Sequence, residues 1–136
     1  MPIKIAWLLP QRVLYVRVLG GQFTGESLRH MLSDVEQQAH TAAQPVHVIF
    51  NGRDTADCYD DLPGTLARVQ QYFASPAIGL NFIITDQWLK RYMIALLLLP
   101  SYRARLKVFE TVPLALTFLQ RVDATLPPLP LPDSEA

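Results

Sequence analysis

Residues 12–50 read RVLYVRVLGGQFTGESLRHMLSDVEQQAHTAAQPVHVIF, and the succession of patterns within them decides the fold. From Arg12 to Leu19 the side chains alternate. Val13, Tyr15 and Arg17 point one way while Leu14, Val16 and Val18 point the other, which predicts a strand with one clearly more apolar face. Gly20-Gly21 breaks that strand. Thr24 then stands where an N-cap belongs, with Phe23 before it and Leu28 placed to complete a hydrophobic staple. Leu28, Met31, Leu32, Val35, Ala39 and Ala42 follow a 3.6-residue spacing, with Arg29, Asp34 and Gln37 off the stripe, so this is an amphipathic helix. Val46 to Phe50, interrupted only by His47, is a short apolar run, and its place after a helix predicts a buried strand parallel to the first.

Outward from this β-α-β unit the same signals recur. Upstream, Ile3 to Leu9 is a strand joined by Pro10-Gln11 to the next, so a hairpin opens the domain. Downstream, Asn51 to Asp61 is a polar loop, and Asp60 or Asp61 caps a helix that has Pro63 in its first turn and Leu62, Leu66, Val69 and Phe73 on one face. Ser75-Pro76 closes that helix, and Gly79 to Thr85 is another buried strand around Phe82, Ile83 and Ile84. Asp86 caps a helix running to Pro100 that is apolar on every side from Tyr92 to Leu99 and must therefore be covered. After Ser101 to Leu106 come a short strand at Lys107 to Glu110 and a helix capped by Thr111 with Ala115, Phe118, Leu119 and Val122 on one face. The domain spans 1–123. Residues 124–136, with Pro127, Pro128, Pro130 and Pro132, form a proline-rich, flexible, extended tail. The predicted class is α/β, a mixed sheet with packed helices in the order β-β-α-β-α-β-α-β-α.

That order, together with Phe82-Ile83-Ile84-Thr85-Asp86 and Trp88, and with Lys107-Val108-Phe109-Glu110-Thr111 leading into Ala115-Leu116-Thr117-Phe118-Leu119, resembles the STAS-domain superfamily and its SpoIIAA-like subgroup in particular. The likeness covers most of residues 3–122 and rests on packing positions. It implies a STAS/SpoIIAA-like fold and a regulatory role exercised through protein partners. STAS domains of the anti-sigma antagonist type carry a phosphorylatable serine after the third strand, at the start of the second helix. Here the stretch from Asn51 to Asp61 has no serine, and Thr55 is its one Ser/Thr-type hydroxyl and a weak candidate. The SpoIIAA-like subgroup, which need not keep that site, is the better match.

Bulk properties narrow the partners. The chain has 136 residues, enough for one core without disulfide or metal staples. Twelve basic and 12 acidic side chains give no net charge, which points away from nucleic acid. A single cysteine, Cys58, cannot form an internal disulfide and suits a reducing compartment. The opening Met-Pro-Ile-Lys lacks a signal-peptide pattern, and the apolar run from Met93 to Pro100 is too short to span a membrane, for which roughly 20 residues are needed. A cytoplasmic protein without a transmembrane segment is expected.

No catalytic template closes. Gly20 to Ser27 fits the P-loop spacing except that Glu26 replaces the phosphate-binding lysine and would repel the phosphates. Asp54, Asp57, Asp60 and Asp61 are rich in oxygen but match no calcium-loop spacing, so they read as a solvated loop and helix cap, although the carboxyl ends of parallel strands are where such sheets bind ligands. Asp57 and Asp60 flank Cys58 and disfavour its thiolate. His30, His40 and His47 show no ligand spacing, so neither metal nor cofactor is expected. The segment from Gln87 to Phe109 stands out, because it holds Lys90, Arg91, Arg103, Arg105 and Lys107 and no acidic residue around an all-apolar helix. Trp88, Arg91, Tyr92, Met93, Leu96, Leu99, Arg103 and Arg105 are accordingly the expected ligand or interface residues. The favoured reading is a helix buried against a second subunit, giving a homodimer with arginines along the rim. The other reading is a surface for a small amphipathic or lipid-like ligand. Together these predict a non-enzymatic regulatory or protein-interaction module.

Overall fold

The computed structural model describes residues 3–18, 22–53, 56–58, 62–87, 94 and 98–132. Strands β1 (Ile3–Leu9) and β2 (Val13–Val18) form the opening hairpin, in which Gln11 takes a left-handed φ of 68° to reverse the chain. Then follow β3 (Gln22–Thr24), α1 (Gly25–Ala39), β4 (Val46–Asn51), β5 (Ala56–Cys58), α2 (Leu62–Ala74), β6 (Ile78–Ile84), α3 (Leu99–Tyr102), β7 (Leu106–Phe109) and α4 (Val112–Val122). A five-stranded sheet has the order β1-β2-β4-β6-β7. Its first pair is antiparallel and the other pairs are parallel. This is the mixed α/β architecture that the residue patterns predict.

The two-residue period of the strands divides the interior into two layers. On the front, Leu14, Val16, Val18, Val46, Val48 and Ile78 meet Met31, Leu32, Val35 and Ala39 of α1 and Val69, Tyr72 and Phe73 of α2. On the back, Val13, Tyr15, Ile49, Phe82 and Ile84 lie under Val112, Ala115, Leu116 and Leu119 of α4. Each Val, Leu, Ile, Met or Phe side chain among them contributes about 1.5–3 kcal/mol when fully buried. Thr24 caps α1 by accepting the Ser27 N–H at 3.1 Å, and Phe23 and Leu28 both pack on the front core, as the staple pattern requires. Thr111 caps α4 in the same way.

Several details differ from the sequence reading. Residues 56–58 lie within the expected loop yet pair in parallel with Gln22–Thr24 as a separate two-stranded sheet, although Ala-Asp-Cys contains no strong strand former. The helix expected from Asp86 to Pro100 falls largely outside the described residues, with Ile94 helical. Pro100 is not a stop: it sits in the first turn of α3, where a missing N–H breaks no helical hydrogen bond. Strand β7 begins one residue earlier than expected, with Leu106 buried. On α4 the buried face runs through Val112, Ala115, Leu116 and Leu119, while Val122 in the last turn is 49% exposed. After α4, residues 124–132 form neither helix nor strand, and Leu126 is buried in the back core with Leu129 packed on it.

Candidate functional site

Among the described residues three regions are candidates, two polar and one a largely apolar groove. At the amino ends of the parallel strands, His47 near the start of β4 meets Asp123, the C-cap of α4, with Nε2 and Oδ2 2.9 Å apart. The Leu80 N–H donates to His47 Nδ1 at 3.1 Å, so Nδ1 carries no proton and Nε2 is the nitrogen that donates to the carboxylate. Asp123 Oδ2 also receives Arg12 Nη2 at 3.3 Å, while Oδ1 receives both the hydroxyl and the N–H of Thr125. The Thr125 hydroxyl and the His47 ring together lower the Asp123 carboxyl from 3.8 to about 2. Gly79 lets the imidazole in, since a Cβ there would come within 3.0 Å of Nδ1. With both ring nitrogens engaged, this Asp-His pair offers no free base to a substrate. It clasps the hairpin turn, β4, β6 and the end of α4.

At the opposite, carboxyl end, Asn51 is 1% exposed and donates to the Tyr15 hydroxyl at 2.8 Å, while its Oδ1 accepts the Arg53 N–H. Thr85 is buried, and its hydroxyl accepts the Gln87 N–H. These groups organise the turns that leave β4 and β6. Asp54, Thr55, Asp60 and Asp61 lie outside the described residues, and Asp57 and Cys58 are placed only as backbone in β5. Thr65, in the first turn of α2, is a second hydroxyl near that helix start, and no pattern in the sequence marks it. It is 4% exposed, and its hydroxyl has no hydrogen-bond partner among the described residues.

The third region is an open groove of about 320 Å³ between the end of α2 and α3, lined by Gln70, Phe73, Ala74, Ser101, Tyr102, Ala104 and Arg105. Phe73 and Tyr102 stack with centroids 4.3 Å apart, and the Arg105 guanidinium lies 5.4 Å from the Phe73 ring centre. That guanidinium donates to the Phe73 carbonyl at 2.5 Å and the Ile78 carbonyl at 2.6 Å, so its charge closes the negative end of α2. Among the described residues no carboxylate or imidazole lines the groove. Its aromatic floor and fixed cation are features of a binding surface.

Of the residues expected from sequence, Arg105 lines this groove, Leu99 is the first residue of α3, and Arg103 is exposed at the C-cap of α3. Trp88, Arg91, Tyr92, Met93 and Leu96 lie outside the described residues. His30 is on the outer face of α1, 4.0 Å from Glu26, and His40 is the C-cap of α1. Among the described residues no three His, Cys, Asp or Glu side chains converge as metal ligands, and no helix is long and apolar enough to cross a membrane.

No family model matches the chain, and no curated protein matches it in sequence. Solved structures do match in fold. SpoIIAA, the anti-sigma factor antagonist, in its unphosphorylated form superposes with a TM-score of 0.55 at 11% identity, covering 88% of this chain and 96% of its own. The Bacillus cell fate determinant SpoIIAA in its phosphorylated form gives 0.55 at 14% identity, with 89% and 99% covered. A protein of the DUF3478 family from Shewanella loihica gives 0.53 at 17% identity, with 86% and 91% covered. Identities this low bear on architecture alone, and the mixed sheet, its helices and these superpositions give the chain a STAS/SpoIIAA-like fold.

Proposed function

We propose that this domain is a non-enzymatic regulatory module that acts by binding another protein, without the phosphoserine of the anti-sigma antagonist type. The observation that carries the reading is the commitment to the fold of polar side chains among the described residues: His47 has both nitrogens engaged, Asp123 holds four donors, and Arg105 bridges two carbonyls. One structure of similar fold belongs to an anti-sigma factor antagonist, a name that denotes action on another protein. Self-association as a homodimer belongs to the same reading, with the segment of Trp88, Arg91, Tyr92, Met93, Leu96 and Leu99 and the nearby Arg103 as partner-facing residues. A cytoplasmic location accords with the single Cys58. Affinity capture of the intact protein with in-cell cross-linking tests this. A stoichiometric protein partner is expected, and its absence in every growth condition, with a strict monomer in solution, refutes it.

The groove favours one second reading, a small amphipathic ligand seated on Phe73 and Tyr102 with its anionic end toward Arg105 and Arg103. Native mass spectrometry after mild purification decides. A copurified mass lost in Tyr102→Ala supports the ligand, and a bare protein rules it out.

A further inference from the structure

The two edges of the five-stranded sheet are unlike. The β7 edge has four residues, carries Lys107, and is flanked by Arg105 and Glu110, the short, charged form that discourages pairing. The β1 edge is seven residues long, Ile-Lys-Ile-Ala-Trp-Leu-Leu, with one charge. Among the described residues its backbone bonds run to β2 or into the hairpin turn, and none leaves its outer side. The register with β2 is regular from Ile3 to Trp7, and the irregularity between Trp7 and Leu9 comes only after that. Ile3, Ile5 and Trp7, on the front face, are half-buried, while Lys4 and Ala6 on the back face are exposed.

We propose that β1 is the strand through which two copies of this chain join, edge to edge and antiparallel, into one continuous sheet. The inference rests on the self-association included in the functional reading and gives it a surface other than the segment from Trp88 to Arg103, which is left to face a different protein. Centred on Ile5, the pairing sets Ile3 against the partner's Trp7, Ile5 against the partner's Ile5, and Lys4 against the partner's Ala6. Every front-face pair is then apolar, and each lysine stem lies over a small side chain rather than over the other lysine. A parallel arrangement would oppose Lys4 to Lys4, and only the antiparallel one closes on a two-fold axis. The pairing gives the outer N–H and C=O groups of β1 the partners that a single copy leaves to water.

Sedimentation velocity of the intact protein tests this with two substitutions at the exposed Ala6, which the monomer fold tolerates and whose folding is checked by thermal melting. Ala6→Glu places a carboxylate opposite the partner's Lys4, twice per dimer, and tightens association about tenfold. Ala6→Lys places like charges there and weakens it about tenfold, both effects shrinking with added salt. A dimer indifferent to both substitutions overturns the β1 interface and leaves self-association standing. A wild-type monomer at tens of micromolar overturns both. A monomer whose captured partner is lost in Ala6→Lys assigns the edge to a different protein and overturns the second copy as its occupant.

Discussion

Replacing His47 by alanine tests whether the clasp at the amino end of the sheet holds the domain together. The substitution removes a hydrogen bond from Nε2 to an ionised carboxylate, of a kind that contributes about 1.5–3 kcal/mol, and one from the Leu80 N–H to Nδ1, of a kind that contributes about 0.5–1.5 kcal/mol. Asp123 keeps Arg12 and Thr125, so it is not left as a bare buried charge. The expected loss is therefore roughly 2–4.5 kcal/mol, or a fall in Tm of about 6–20 °C for a domain of this size. Urea unfolding followed by far-ultraviolet circular dichroism measures it, with the midpoint moving and the slope unchanged. A double-mutant cycle with Asp123→Ala should return a coupling of about 1 kcal/mol or more. A single-mutant loss under about 0.5 kcal/mol, or no coupling, would show that the contact contributes nothing and refute the clasp.

Three further outcomes follow from the same geometry. A carboxyl lowered on folding from 3.8 to about 2 adds stability that is present above its ordinary value and vanishes as pH falls through about 2. Wild type should thus lose more stability between those values than Asp123→Asn, and parallel acid titrations of the two by circular dichroism would contradict it. The buried Tyr72 hydroxyl donates to Asn81 Oδ1 at 2.5 Å, so Tyr72→Phe strands a buried acceptor and should cost about 1–3 kcal/mol in urea unfolding. Burial first, and Glu36 second, raise the Tyr72 phenol well above 10, so its contribution is whole below that value and is lost as the pH climbs above it. Arg105→Lys keeps a charge near the end of α2 but not the two-carbonyl bridge, and calorimetry should place it between wild type and a more destabilised Arg105→Ala, whose loss is about 2 kcal/mol. Equal melting of all three proteins would remove Arg105 from the fold's support.

The periodic parts of this fold are legible in the sequence because the pattern and the burial are the same fact. Alternation along Val13–Val18 separates the front and back cores residue by residue, and the stripe of Met31, Leu32, Val35 and Ala39 is the buried face of α1. What escapes is decided by neighbours distant in sequence. Residues 56–58 become a strand because residues 22–24 offer a ladder, and nothing local signals it. Leu116 is buried and Val122 exposed because the sheet lies under the first turns of α4 and not the last, a matter of docking that periodicity cannot fix. The pairing of His47 with Asp123 joins residues 76 positions apart. No spacing rule anticipates it, and Gly79, which admits the ring, reads in sequence only as a weak spot in a strand.

The sheet order β1-β2-β4-β6-β7 means that, after the opening hairpin, each strand of the main sheet is laid beside the one made before it. A chain emerging from a ribosome can therefore extend the sheet in the order of its synthesis, and α1 and α2 are available early to cover the front. The back is different: among the described residues Val13 and Tyr15 are covered by α4 and Leu126, which are made after every strand of the sheet. During synthesis that apolar surface stays open to water and to any chaperone at the tunnel exit until residue 126 is free, so a stall anywhere before α4 leaves a half-covered sheet.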